Sequence, residues 1–534
     1  MERLVDIALI GTGRTGDRQA ATDTPTAALV AALPDLTSAR KLLLAAGAQA
    51  IYTLAGQPLG PTHSPAAMAP PDRQPACSSG AAYLLDQLFT RDEGGVLAEA
   101  LTRLQRAGFR LPHRLLVAAL ETGKRQTELR SLLAPTLDQR GRWLAAQNRD
   151  WQWVAEVSMA DPGDLPVDAE ARWQEGTAAQ RLAILRRLRV HDPATARDWV
   201  AASWKGEKAD FRAQALGILA TALSLDDEPF LEAALDDRSQ AVRSVAAELL
   251  MQRPDSALST RMRGRADTLL AYTPHKRGLF RALTQALSGN AARGDLSVQL
   301  PGDLALDWQR DGIEPKPRTG LGKGAWWLLC VLGAVPPRHW TTRFTATPEE
   351  LIAAATQQEW GREIIEGWSR AAIRVRDSAW APPLWRYWVA GHQPQQQGTI
   401  APTELLRGLI AIMPGDALAQ IGSDLLNEAT RTQNSLWIEV APLLPTPWLP
   451  GWGRQYLEIS RARLKALRPQ QYDPWIKTFD TAAHALPVES FPQALQEWPI
   501  PMEQSWVAME WRRATDTITR TVALRQRLMK EIPL

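Results

Sequence analysis

Asp236-Asp237-Arg238-Ser239-Gln240-Ala241-Val242-Arg243-Ser244-Val245-Ala246-Ala247-Glu248-Leu249-Leu250 is the stretch on which the fold turns. Acids open it, a Val-Arg pair follows, and Ala and Leu then recur at helical spacing. Arg243 has counterparts at Arg212 and Arg181, each 31 residues before the next. Each arginine opens a similar apolar series: Leu185 and Leu188, Leu216 and Leu219, then Ala247 and Leu250. After each series comes a Pro-marked turn and a second helix, at Pro193 to Trp204, Pro229 to Leu235 and Pro254 to Met262. A helix pair of this size cannot bury its apolar face alone, but a stack of such pairs can.

The unit resembles the second half of a HEAT repeat, in which an acid precedes a Val-Arg pair. That resemblance implies an acid–arginine ladder between neighbouring units. Asp237 with Arg243 and Glu175 with Arg181 fit its spacing; in the middle unit Gly206 stands at the acidic position, with Glu207 beside it. The arginines are therefore expected to be scaffold ion pairs. The expected fold is all-α: a HEAT-like α-solenoid of stacked helical hairpins with a second helical region at the C-terminal end.

Outward from the repeats, short amphipathic segments closed by Gly or Pro suggest further hairpins at Pro25 to Leu33, Gly95 to Ala107, Pro112 to Glu121 and Gln126 to Leu133. Pro58 to Gly80, rich in Pro, Ala and Ser, reads as an exposed loop. Residues 289–324 break the rhythm and read as an irregular connection able to carry a short hairpin. Helical segments resume from Trp326, and Gln504 to Lys530 reads as an amphipathic helix with Trp506, Met509, Val522 and Leu528 on its apolar side. The 22 tryptophans all fall between Trp143 and Trp511, which marks a boundary near residue 140. Most should be core. The expected organisation is an N-terminal helical region over 1–140, repeats over 141–288, the connection over 289–324 and a C-terminal helical domain over 325–534.

Composition narrows the function. With 534 residues, 45% hydrophobic and 22% charged, the chain is too long for a single compact core and ordinary for a folded protein. A net charge of +3 does not by itself argue for nucleic acid or an anionic membrane. Cys77 and Cys330 have neither metal-ligand spacing nor a disulfide framework, which suits a reducing compartment. Glu2 and Asp6 interrupt the apolar start, so no signal peptide is expected, and the run from about Gly324 to Pro337 is too short to span a bilayer. A cytoplasmic location is the expectation.

Motifs for catalysis are weak. Gly11-Thr12-Gly13-Arg14-Thr15-Gly16 matches the dinucleotide fingerprint in letters, but Asp17 to Thr26 holds no large apolar side chain to continue as a helix. Gly320-Leu321-Gly322-Lys323-Gly324 lacks the Walker loop's first glycine and its Ser or Thr. The seven histidines share no metal spacing, and His191-Asp192-Pro193 reads as a helix N-cap. No catalytic residue, cofactor or metal is expected. Two tryptophan clusters remain. Trp143, Trp151 and Trp153 suit packing at a junction, whereas Trp380, Trp385, Arg386 and Trp388 are candidate partner contacts, expected to be exposed.

The first cluster, with Glu228 to Ser239, Leu258 to Met262, Ala8 to Thr12 and Gly322 to Leu328, is similar to an uncharacterised bacterial family known as a domain of unknown function. Members tend to be encoded beside MoxR-type AAA+ ATPases, von Willebrand factor A domain proteins and SWIM zinc-finger proteins. The resemblance implies a non-catalytic adaptor whose protein partner is such an ATPase or its von Willebrand A companion. It supplies no site residues. The competing expectation is a nucleic-acid-binding HEAT-like protein, similar to DNA glycosylases on such repeats, using Arg253 to Arg277 with Arg261, Arg263, Arg265, Lys276 and Arg277. A dispersed-site enzyme is the third class.

Overall fold

The computed structural model describes residues 2–15, 26, 29, 32, 36–55, 68–91, 94–160, 165–275, 294–318, 320–390, 403–433, 435–466, 468, 472–500 and 505–533. The chain divides into two compact units, Met1–Met68 and Ala69–Leu534. In the first, α1 (Glu2–Ile10) packs on α2 (Ser38–Ala55). No residue of α2 is buried, and Leu43, Leu44, Ile51 and Leu54 are exposed.

The second unit is a succession of packed helices. It begins with α3 (Ser79–Arg91), α4 (Gly94–Arg106), α5 (Arg130–Thr136) and α6 (Trp153–Ala160). The helices that carry Arg181, Arg212 and Arg243 follow: α7 (Ala178–His191), α8 (Ala209–Ile218) and α9 (Gln240–Met251), then α10 (Ala257–Leu269). Beyond them come α11 (Lys323–Ala334), α12 (Gly361–Val375), α13 (Thr403–Ala411), α14 (Thr478–Ala485) and the long α15 (Trp506–Glu531). Local chemistry sets several ends. Thr177 and Gln180 form a reciprocal cap on α7, and Asp192 caps the helix Pro193–Ser203, accepting from the Thr195 amide as the Asp-Pro pair implies.

The arginine ladder is present, shifted by one unit from the expected pairing. Arg181 pairs with Glu207 of the next unit at 2.5 Å, and Arg212 pairs with Asp237 of the unit after at 2.9 Å. Each rung therefore joins consecutive helix pairs. Glu207, not Gly206, fills the acidic position of the middle unit. Arg243 does not meet the Asp237 carboxylate but donates to its backbone oxygen, at 2.7 Å, as Arg212 does to that of Glu207 at 2.5 Å. A buried pair, Arg189 with Asp227 at 2.5 Å, ties α7 to the turn before the helix Glu228–Ala234.

The core is continuous across two of the expected boundaries. One hydrophobic cluster contains Leu101, Leu137, Ala145 and Trp153, and so passes through position 140. The stretch 289–324 contributes Leu296 and Ile313 to the largest cluster. The ribbon there is real but wider than expected: Gly294–Val298 (β2) pairs antiparallel with Leu270–Pro274 (β1), inside the segment assigned to repeats. The tail of the expected exposed loop is pinned. Asp72 contacts Arg110 and His113, and the Asp138 carboxylate accepts from the amides of Arg73 and Gln74. Residues 58–67 lie outside the described residues.

The end of the chain returns to the start of this unit. α15 packs on α14, α3 and α4, and Leu528 and Ile532 enter the same core as Leu85 and Leu97. Arg525, buried, pairs with Glu99 of α4 at 2.7 Å and donates to the carbonyls of Ala483 and Leu486. The expected N-terminal and C-terminal regions therefore share a core. Since α13 meets the turn Ala441–Leu443 and that turn meets α14, the packing circuit is closed.

Candidate interaction surface

The helix Ala381–Ala390 carries the expected partner contacts, and its period decides their fate. Ala381, Leu384, Trp385 and Trp388 fall on one face and are buried, while Arg386 faces out. Trp380 is 1% exposed, Trp385 2% and Trp388 8%, so the expectation that these three tryptophans are exposed is corrected. Trp380 stands edge-on to Trp368, which leans on Trp340, and the Trp388 indole N–H donates to Ser369 at 2.9 Å. Of the four candidates, only Arg386 is on the surface. In the other cluster, Trp151 and Trp153 are buried as junction packing requires, with the Trp151 N–H on Glu121.

The basic segment is neutralised from within. Arg261 holds Asp311 and Glu232, and Arg265 holds Asp311 and Asp307. Arg310 pairs with Asp236 and reaches Asp311. Burial pushes the Asp311 carboxyl up, yet Arg261 and Arg265 outweigh it and hold the group below the usual carboxylate range. Arg263 donates to the Pro254 carbonyl. Lys276 and Arg277 lie outside the described residues.

Titratable groups elsewhere serve packing. His113 bridges Asp72 and Arg140, and His339 joins Asp267, which also takes Arg343. Burial raises the Cys77 thiol and pushes that of Cys330 up to about 12, away from thiolate reactivity. Among the described residues no group of three or more His, Cys, Asp or Glu is placed to hold a metal ion. No described helix is long and apolar enough to cross a membrane. Ile7 to Ile10, the strand a dinucleotide fingerprint would need, are the end of α1.

An aromatic edge missed in the sequence is exposed instead. The rings of Tyr472 and Trp506 stack, with centroids 6.1 Å apart and planes within 11°. Tyr472 is 42% exposed, Trp506 54% and Met509 53%, although Trp506 and Met509 were expected on the buried side of their helix. Next to Tyr472, Asp473 is locked by Arg463 at 2.9 Å, while Ser505 caps α15 through the Ala508 amide. Two ordered anchors thus present the pair. The missed signal was period: Val507, Trp511, Ile518 and Val522 make the buried stripe, and Trp506 lies off it.

Comparison with known proteins adds one result. The chain belongs to a family of unknown function, DUF5691, whose model matches residues 3–532. No curated protein matches the chain, and no solved structure does.

Proposed function

We propose that this chain is a non-catalytic protein-interaction scaffold on a HEAT-like solenoid, an accessory subunit of a MoxR-type AAA+ ATPase or von Willebrand A system in the cytoplasm. The carrying observation is the ladder: Arg181 to Glu207 and Arg212 to Asp237 join consecutive helix pairs. A stack held this way creates a long continuous surface without needing a deep pocket, which suits a protein partner. The ATPase assignment rests on the gene neighbours that the family resemblance implies. The nucleic-acid alternative needs free cations along Arg253 to Arg277, and Arg261 and Arg265 already face carboxylates.

The test is a tagged pull-down from the native host with nuclease present, washed at moderate and then high salt. Recovery of a AAA+ ATPase or von Willebrand A protein after nuclease supports the scaffold. Recovery of nuclease-sensitive, salt-labile material alone contradicts it.

A further inference from the structure

The outer face of α15 has a pattern that folding does not use. Trp506, Arg513, Arg520 and Arg527 recur every seven residues and all are exposed. Seven residues advance a helix by about 10.5 Å and return it to nearly the same face, so these side chains form one row. At its head sit the stacked Tyr472 ring and Met509. Arg513 has a surface pair with Glu510 at 3.1 Å, and neither Arg520 nor Arg527 makes an ion pair among the described residues. Arg525, on the opposite face, is the cation that α15 contributes to its own packing. The row is therefore aromatic at one end and cationic along its length.

We propose that this row docks an acidic amphipathic helix of a protein partner, a proposal that rests on the scaffold reading. An apolar anchor of that helix seats against Tyr472, Trp506 and Met509, and its carboxylates, at seven-residue spacing, meet Arg513, Arg520 and Arg527. Charge complementarity selects the occupant: three guanidinium groups face out with Asp516 as the exposed carboxylate between them. Trp, Tyr and Arg are the residues that dominate protein-binding energy, and Met is enriched at interfaces. A phosphate backbone fits less well. Tyr472 already covers one face of the Trp506 ring that a base would need.

The probe is a fluorescein-labelled synthetic helix with leucine anchors at one end and Glu at every seventh position, titrated with the full chain. Controls are a scrambled peptide, the same helix with Lys for Glu, and a labelled single-stranded oligonucleotide. The expected result is binding at least about tenfold tighter than the scrambled peptide, weakened about tenfold by Trp506→Ala. The triple variant Arg513→Glu, Arg520→Glu, Arg527→Glu should lose the Glu helix and gain the Lys helix. These residues are exposed, and thermal melting followed by circular dichroism checks that both variants fold. Equal binding of the scrambled peptide, or no exchange of preference in the triple variant, overturns the proposal. So does oligonucleotide binding that the triple variant abolishes while the Glu helix fails to bind. Repeating the host pull-down separates the two readings. If the triple variant recovers the same partner as the natural chain, this surface is wrong and the scaffold stands; if the natural chain recovers none, the scaffold fails.

Discussion

Substituting Arg212 by Ala cuts the ladder where it is most buried, and the consequence can be worked from the contacts. Its Nη2 meets Asp237 at 2.9 Å, Nη1 donates to the Glu207 carbonyl, and the guanidinium lies 5.5 Å from the Trp204 ring centre. Both side chains of the pair are nearly inaccessible. Removing one partner of a buried ion pair costs about 3–5 kcal/mol, because the other charge stays buried. Asp237 keeps the Ser239 amide at 2.8 Å, which places Arg212→Ala near the lower end, about 3 kcal/mol. Asp237→Ala leaves Arg212 the Glu207 carbonyl and should cost about 2 kcal/mol. The double variant should then lose about 3 kcal/mol, a coupling of about 2 kcal/mol. Global melting is a poor assay, since a long array need not unfold in one step. Native-state hydrogen exchange of the amides in α8 and α9 reads the junction directly. Additive losses, within about 0.5 kcal/mol, would refute the ladder as the link between units.

Three further outcomes follow from the packing. Trp380→Ala should destabilise the chain by about 3–5 kcal/mol in denaturant unfolding, while Arg386→Ala should change it by less than about 0.5 kcal/mol; the reverse order would restore Trp380 to the surface. Glu99→Ala should leave Arg525 without its carboxylate and raise exchange in α4 and α15 together, whereas loosening of α15 alone would deny that the ends share a core. Burial raises the Asp237 carboxyl, and the Arg212 hydrogen bond, the Ser239 amide and the charges of Arg212 and Arg238 together more than reverse this, leaving its folded pKa depressed. The contribution is thus complete above the ordinary carboxylate range and is lost as pH falls through the folded value; protection of α8 should fade on acidification below about pH 4, and in Arg212→Ala that pH dependence should shrink.

How much of this was legible depends on whether the information is local. The 31-residue spacing of Arg181, Arg212 and Arg243 announced the helix pairs, because helical period and repeat length are written in neighbouring residues. The rung partners were not, since a shift of one unit leaves the spacing unchanged and only contact separates Arg212–Asp237 from Arg243–Asp237. Leu270 to Pro274 gives no period that marks it as a strand until Gly294 to Val298 pairs with it across 18 undescribed residues. The return of α15 to α3 and α4 joins Arg525 to Glu99, a separation that no window of sequence spans. The candidate surface failed for a different reason. Tryptophan has the same letter in a core as at an edge, and burial is decided by residues on another helix, Trp368 against Trp380 and Ser369 against Trp388. Exposure of Trp506 could have been found by phasing α15 on Val507, Trp511, Ile518 and Val522.

The scaffold claim is tested most directly by sedimentation velocity of the purified full chain, mixed in turn with the MoxR-type AAA+ ATPase and the von Willebrand A protein of its host. The account expects one of them to shift the chain into a faster, stoichiometric species that persists in nuclease-treated samples and at high salt. Independent sedimentation of the chain in both mixtures, at about 10 μM of each protein, would contradict it.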